Sequence, residues 1–383
     1  MKGVDVIPSE AKDPAPAGRG RRALRWILRG LALLAAATVS YLVLTPTGRY
    51  LLRAGWEEGK ILARRRPIAA LVASDSTPPR IRQKLRLVLA ARAFAADSIR
   101  LKVEESFTTY SRLDRDTLVL VLSGAYRDRL RPKSWWFPVV GRVPYKGYFD
   151  FGAARKAARA LEGEGFDVYL RPASAFSTLG WFNDPLLPST LRADSIDLAN
   201  TVIHEVTHNT FYAPGQAVFN ESFANFVGAR GAGWFFRARG DTASAAESDR
   251  RWADEKLMAR FWDHLYRAVD STFEAHPGDD SAAVRTRLAL RDSIYRSARR
   301  ALVDSVGPRL RTIDRRYLER VRLDNAALLA RRVYATDLEL FDQVWVREGG
   351  DLRRAIARVI AIAKSDEEDP FGAMRRWLGH LGS

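Results

Sequence analysis

The apolar positions divide the chain into a long N-terminal apolar stretch, a mixed middle and a helical second half. Ala23 to Leu44 is mostly apolar, and Gly30 to Gly48 carries no charge at all. About 20 such residues suffice to cross a bilayer as a helix. Helical spacing then continues from Gly48 to about Val72. Thr77-Pro78-Pro79 supplies a polar cap and a first-turn proline for a helix reaching about Leu101. Thr117–Leu122 (TLVLVL) is short, apolar and β-branched, which predicts a strand. Residues 132–150 are dense in aromatics, Pro and Gly and predict a structured loop or hairpin. A helix is expected over Ala153–Glu164, a strand over Phe166–Leu170, and an edge-like strand within 173–182. Residues 183–190 read as a loop.

From about Asp194 onward the pattern is nearly all helical. Val284, Leu288, Tyr295, Ala298, Leu302 and Val306 recur at helical spacing and predict a core stripe. The expected class is therefore α+β and mostly helical. Its parts are an N-terminal transmembrane helix, a small β-sheet and a helical C-terminal half. The expected division is a disordered cytoplasmic tail over 1–20, an anchor over 21–47 and one domain over 48–383.

Charge refines the reading of the N-terminus. Arg19, Arg21, Arg22, Arg25 and Arg29 precede the uncharged stretch. The positive-inside rule then leaves the N-terminus in the cytoplasm and the rest of the chain outside the inner membrane. Two other readings stay open: a cleaved signal peptide with Ala35-Ala36-Ala37 as its small-residue region, and a buried core helix. The whole chain of 383 residues carries a net charge of +17. The excess is mostly Arg and is spread among Asp and Glu, with no nucleic-acid signature, so no specific nucleic-acid partner is expected. A lipid bilayer is the expected partner of the N-terminal helix. The chain has no cysteine, which excludes disulfides, thiolate ligands, a cysteine nucleophile and a lipidated cysteine.

The candidate chemistry lies in His204-Glu205-Val206-Thr207-His208. Histidines four apart share one face of a helix and can share one zinc ion. In this arrangement the intervening glutamate, Glu205, is a general base and not a ligand. Phe211 to Gln216 reads as a helix stop and turn. If the next helix is antiparallel, the chain climbs about 6 Å past His208 and returns by about as much, at about 1.5 Å per residue. Glu221 then comes level with His208 and is the expected third ligand, while Asn225 comes level with His204. Asn225 is placed to accept a hydrogen bond from the free ring nitrogen of His204. Tyr212 and Tyr334 are candidates for stabilising an oxyanion. Ser177–Gly180, with Ser177, Thr178 and Gly180, is a candidate strand for holding a substrate backbone. His264, His276 and His380 lack partner spacing. No third histidine follows soon after His208, which argues against a metzincin plan.

Several segments together resemble a bacterial family of membrane-associated HExxH proteins named for a predicted aminopeptidase activity. They are GWEEGKILARRRPI (55–68), WWFPVVGRVPYKGYFD (135–150), STLGWFNDPLL (177–187), IHEVTHNTFYAPG (203–215), FNESFANFV (219–227) and DNAALLARRVY (324–334). The resemblance implies a gluzincin-like site with one zinc per chain, held by His204, His208 and Glu221, with Glu205 as base. It implies a peptide or protein substrate. Members often carry a lipidated N-terminal cysteine and a cysteine pair around the FPVVG segment. Here Trp136 and Arg142 stand near the pair's positions. The expected function is a zinc metallopeptidase at the inner membrane with an extracytoplasmic catalytic domain. The alternative is a non-catalytic, zinc-stabilised envelope protein that binds a partner.

Overall fold

The computed structural model describes residues 19–113, 119–137, 141–172, 185–333 and 336–380. The chain divides into two units, Met1–Glu58 and Gly59–Ser383. In the first, α1 (Arg19–Leu44) is followed almost directly by α2 (Pro46–Ala63), whose end from Gly59 belongs to the second unit. Leu24–Leu44 is long and apolar enough to cross a membrane, and none of it is buried. The break between the helices has local causes. Pro46 lacks an N–H and disfavours helical geometry at Thr45. Thr45 Oγ1 accepts the Gly48 amide at 2.9 Å, which caps α2. Arg49 donates to the Val43 and Leu44 carbonyls at 3.3 and 3.1 Å, which satisfies the end of α1. Gly48 is required there, since a Cβ would lie 2.2 Å from the Tyr41 carbonyl.

The second unit begins with a departure from the expected single helix over 48–72. The chain leaves the helix and forms β1 (Arg65–Pro67), then α3 (Ile68–Ala73). Pro67 pushes Arg66 into extended geometry. The Ser111 hydroxyl also donates to the Ile61 carbonyl at 2.6 Å. β1 pairs antiparallel with β2 (Thr109–Ser111). Between them, α4 (Pro79–Phe94) has its proline at the first helical position. The helical path beyond Phe94 widens into a π turn over Ala95–Ile99, ended by Arg100 in left-handed geometry at φ 71°.

The three-stranded sheet is antiparallel with β3 (Leu120–Ala125) in its centre. On one side it pairs with β6 (Tyr145–Tyr148) and on the other with β7 (Asp167–Pro172). β4 (Trp135–Phe137) and β5 (Gly141–Val143) form a separate hairpin, so 132–150 contains both a hairpin and a sheet strand. α5 (Phe151–Gly163), capped by Asp150, lies on the sheet. Leu122, Ala158, Leu161 and Val168 form the core between them. The expected strand within 173–182 falls outside the described residues.

The rest is helical, as the pattern predicts: α6 (Pro188–Leu191), α7 (Ser195–Thr210), α8 (Ala217–Ala238), α9 (Thr242–Ala275) and α10 (Ser281–Arg300), followed by α11 (Arg315–Arg320), α12 (Asn325–Arg332), α13 (Leu338–Arg347), α14 (Leu352–Ser365) and α15 (Pro370–His380). Tyr295, Ala298 and Leu302 of the predicted stripe are buried with Trp262, Leu265 and Val269 of α9. α8 is fixed from the side by aromatic packing. Phe219, Phe223 and Phe226 recur at helical spacing, with ring centres 5.6, 5.9 and 5.8 Å from that of Phe341 on α13.

Asp342, next to Phe341, ties three helices together. Its buried carboxylate accepts from Arg230 of α8 at 2.8 and 3.0 Å and from the Trp252 indole of α9 at 3.1 Å. Lys256 of α9 also donates to it. Removing that carboxylate leaves two cations without it in a poorly solvated place. Asp342→Ala is therefore expected to lower unfolding stability by about 3–5 kcal/mol, read by denaturant titration. A loss well under 1 kcal/mol would show that this cluster does not hold the helices.

Candidate metal centre

The helix bearing both histidines is held first at its start. Asp194 caps α7, accepting from the Ile196 and Asp197 amides at 2.9 Å each. Arg251 of α9 contacts Asp194 and Asp197 at 2.7 Å each. Burial works against the charge of Asp194, but Arg251 and the helix amides outweigh it and hold this carboxyl below its ordinary range. The hydrogen bonds from Arg251 correspondingly raise its own pKa. Lys84 of α4 donates to the Leu191 carbonyl at 2.6 Å and also to that of Ala193. The approach to α7 is thus anchored from two other helices.

The turn between α7 and α8 is closed by one buried side chain. Asn220, 1% exposed, accepts from the Ala213 amide and donates to the Ala213 carbonyl, both at 2.8 Å. Both backbone groups of Ala213 are therefore satisfied without secondary structure. Gly215 follows at φ +77°, a conformation that favours glycine. The helices then run antiparallel at close range. A Cβ on Gly228 would lie 2.3 Å from Asn200 Oδ1, 3.0 Å from the Asn200 carbonyl and 3.2 Å from His204 Cβ. One on Gly231 would lie 2.9 Å from both Ile203 Cγ2 and Ile99 Cδ1. Glycines at these two positions permit an approach that alanines would block.

This register brings three donors together. His204 Nε2 and His208 Nε2 are 3.3 Å apart. Glu221 Oε2 lies 3.4 Å from His204 Nε2, and Glu221 Oε1 lies 3.7 Å from His208 Nε2. A tetrahedral ion with bonds of about 2.0–2.1 Å requires ligand–ligand edges of about 3.3–3.4 Å. The donor set fits a zinc ion in its chemistry, and one ligand atom from each residue lies within 4.8 Å of the other two. Two imidazole nitrogens this close direct their lone pairs at each other unless a proton or a cation lies between them. The side chains of His204, His208 and Glu221 remain 14%, 21% and 25% exposed, so the cluster is reachable from solvent.

Among families of known proteins, residues 49–373 match the one described as Putative aminopeptidase. The chain belongs to that family. No curated protein and no solved structure matches the chain. The matched span includes the whole donor cluster and most of both helices' supports, and excludes α1.

The electrostatics of this aminopeptidase-family cluster follow from burial and pairing. Burial opposes charge on His204, but its hydrogen bond with Glu221 and the charges of Glu205, Glu221 and Glu255 prevail and raise its pKa. Burial and the neighbouring His204 push His208 down to about 4, against the pull of Glu221. For Glu221, burial raises the pKa, yet the two histidines outweigh it and hold the carboxyl low. Glu221 thus favours its anionic, ligand-ready form and His208 its neutral one.

The other expected residues fall in two groups. Glu205 lies on α7 beside His204, partly exposed, and Asn225 lies on α8 one turn beyond Glu221. Tyr212 is 56% exposed at the start of the turn, with its ring centre 6.3 Å from that of His208. Ser177, Thr178, Gly180 and Tyr334 lie outside the described residues. His276, just past the end of α9, hydrogen-bonds the Thr272 carbonyl at 3.0 Å. Sequence reasoning missed Gly228 and Gly231, although two glycines three apart inside an apolar helix signal a close backbone approach. It also missed the Asn220 clasp and Glu255, which burial pushes up to about 7. Nothing local in the sequence marks those two.

The helix approach can be tested directly. Gly228→Ala is expected to cost about 1–3 kcal/mol by overpacking and to weaken zinc binding more than tenfold. Gly163→Ala, where nothing lies near the added carbon, should leave zinc affinity unchanged and should not lower stability. Thermal unfolding and zinc competition against a chelator read the two effects. Equal zinc affinity in both variants would contradict the packing account.

Proposed function

We propose that this chain is a zinc-dependent metallopeptidase acting on peptides or proteins outside the inner membrane. The observation that carries the reading is the His204–His208–Glu221 cluster: the two Nε2 atoms are 3.3 Å apart, Glu221 Oε2 lies 3.4 Å from one and Glu221 Oε1 lies 3.7 Å from the other, and a glutamate follows the first histidine. When bound there, zinc supplies Lewis acidity: it polarises a scissile carbonyl and acidifies a water. Glu205 accepts the proton of the attacking water at its carboxylate and delivers it to the departing amine nitrogen. Asn225 orients the His204 ring from the neighbouring helix. Tyr212, at the rim beside His208, donates its phenol hydrogen to the developing oxyanion. The aminopeptidase specificity rests on the family name alone.

The apolar helix α1 serves in this reading as the anchor, with residues 21–47 in or at the bilayer and 48–383 as the peptidase domain. Support comes from the arginines that precede the exposed apolar span. An intact Glu205 argues for catalysis over a purely stabilising zinc, since a structural site needs no base.

Glu205→Gln should retain zinc and lose about 10²–10⁴-fold in peptide hydrolysis. The assay compares peptides with a free and an acetylated N-terminus. Preference for the free amine supports aminopeptidase action, and equal rates indicate an endopeptidase. A Gln variant hydrolysing within a few-fold of the parent would overturn the mechanism.

A further inference from the structure

A second pocket lies in the same unit and is built by other elements. α5, β7, α11 and α12 wall a cavity of about 530 Å³. Arginines 155, 159, 320, 322 and 331 line it, against the single carboxylate of Glu162. Arg322 is already paired, with Glu162 at 3.5 Å and with Asp324. Among the described residues, no carboxylate pairs with Arg155, Arg159, Arg320 or Arg331. The first two are one turn apart on α5, a spacing at which like charges repel.

Arg331 is the telling group. It is partly buried, yet it is held by neutral partners: the Tyr317 hydroxyl at 3.2 Å, the Tyr169 side chain, and the Trp262 ring, whose centre is 5.9 Å away. Three guanidiniums elsewhere in this chain with little exposure meet carboxylates, whereas Arg92 and Arg299, like Arg331, meet only neutral groups. Arg230 meets Asp342 at 2.8 Å, Arg287 meets Asp128 at 3.5 Å, and Arg291 meets Asp167. A phenol satisfies a donor but leaves the charge uncompensated, which is costly away from water. The missing compensation is anionic. A carboxylate would offset one of four charges, whereas a phosphate or diphosphate offsets several and matches the guanidinium fork.

We propose that this pocket binds a phosphate-bearing ligand, with Arg155, Arg159, Arg320 and Arg331 closing on its oxygens. Val168, Leu170 and Val321 give the pocket an apolar side, which suits a ligand with an apolar portion next to its phosphate. The phosphate can come from a soluble diphosphate or from a phospholipid headgroup. The site does not depend on the metal centre, so either can fail alone.

The test is calorimetric titration of the full chain in non-ionic detergent with two probes, inorganic pyrophosphate and a short-chain phosphatidic acid. At least one should bind saturably, one to one, with affinity falling as salt rises. The double variant Arg155→Gln/Arg159→Gln should weaken binding at least tenfold. The pair Arg285→Gln/Arg296→Gln, exposed and outside the pocket, should change it less than twofold. Arg331→Gln should match the first pair, and where it unfolds the Arg155/Arg159 pair decides. Pyrophosphate binding as tightly as the lipid assigns the site to soluble phosphates; a tenfold preference for the lipid assigns it to headgroups. No saturable binding of either probe, or an equal loss in the control pair, overturns the proposal.

Discussion

The distance between α7 and α8 governs the site. Gly228 sets it, because a single added carbon there would press on the Asn200 carbonyl and on His204 Cβ at 3.0 and 3.2 Å. At this separation a glutamate side chain reaches both imidazoles. A few tenths of an ångström more would lengthen both distances from Glu221 to the histidines, and tetrahedral coordination tolerates little stretch. The glycines lower the helix propensity of α8, by about 1 kcal/mol each relative to alanine. That cost is offset by the packing of the same helix, which is buried on most of its circumference.

Interactions outside the site hold the pair in register. Arg251 fixes the start of α7 against α9, and Asn220 fixes the turn. Phe341 and Asp342 fix the middle of α8, one through aromatic contact and the other through charge. Much of the basic composition is employed in this way. Arg230, Arg251, Arg287 and Arg291 each bridge elements distant in sequence, a task suited to a planar fork of donors. The charge of +17 is therefore not one solvated surface. At the α5–α12 pocket, by contrast, Arg331 meets a phenol and an indole ring.

The sequence carried the helical second half, the α+β class and the return of a second helix beside the His-bearing one. Those features have local causes: helical spacing of apolar residues, a capping Asp194, and the Ala213-Pro214-Gly215 stop. Features with distant causes were not legible. The helix expected through Val72 is broken at Arg65–Pro67 because residues 109–111 pair with it, over forty positions later. The strand expected over Thr117–Leu122 is described over Leu120–Ala125, where pairing with β7 carries it through Ser123 and Gly124. Neither residue looks strand-forming alone. Asn220 reads as an ordinary helix amide until its partner Ala213 is seen.

The proposed zinc site consists of three side chains on two closely packed helices, with one position open. Zinc K-edge X-ray absorption on the full chain, after dialysis against metal-free buffer, tests it most directly. The expected result is about one zinc per chain with four nitrogen or oxygen neighbours at about 2.0–2.1 Å and the scattering signature of two imidazoles. A chain that retains no zinc, or a shell without imidazole scattering, would contradict it.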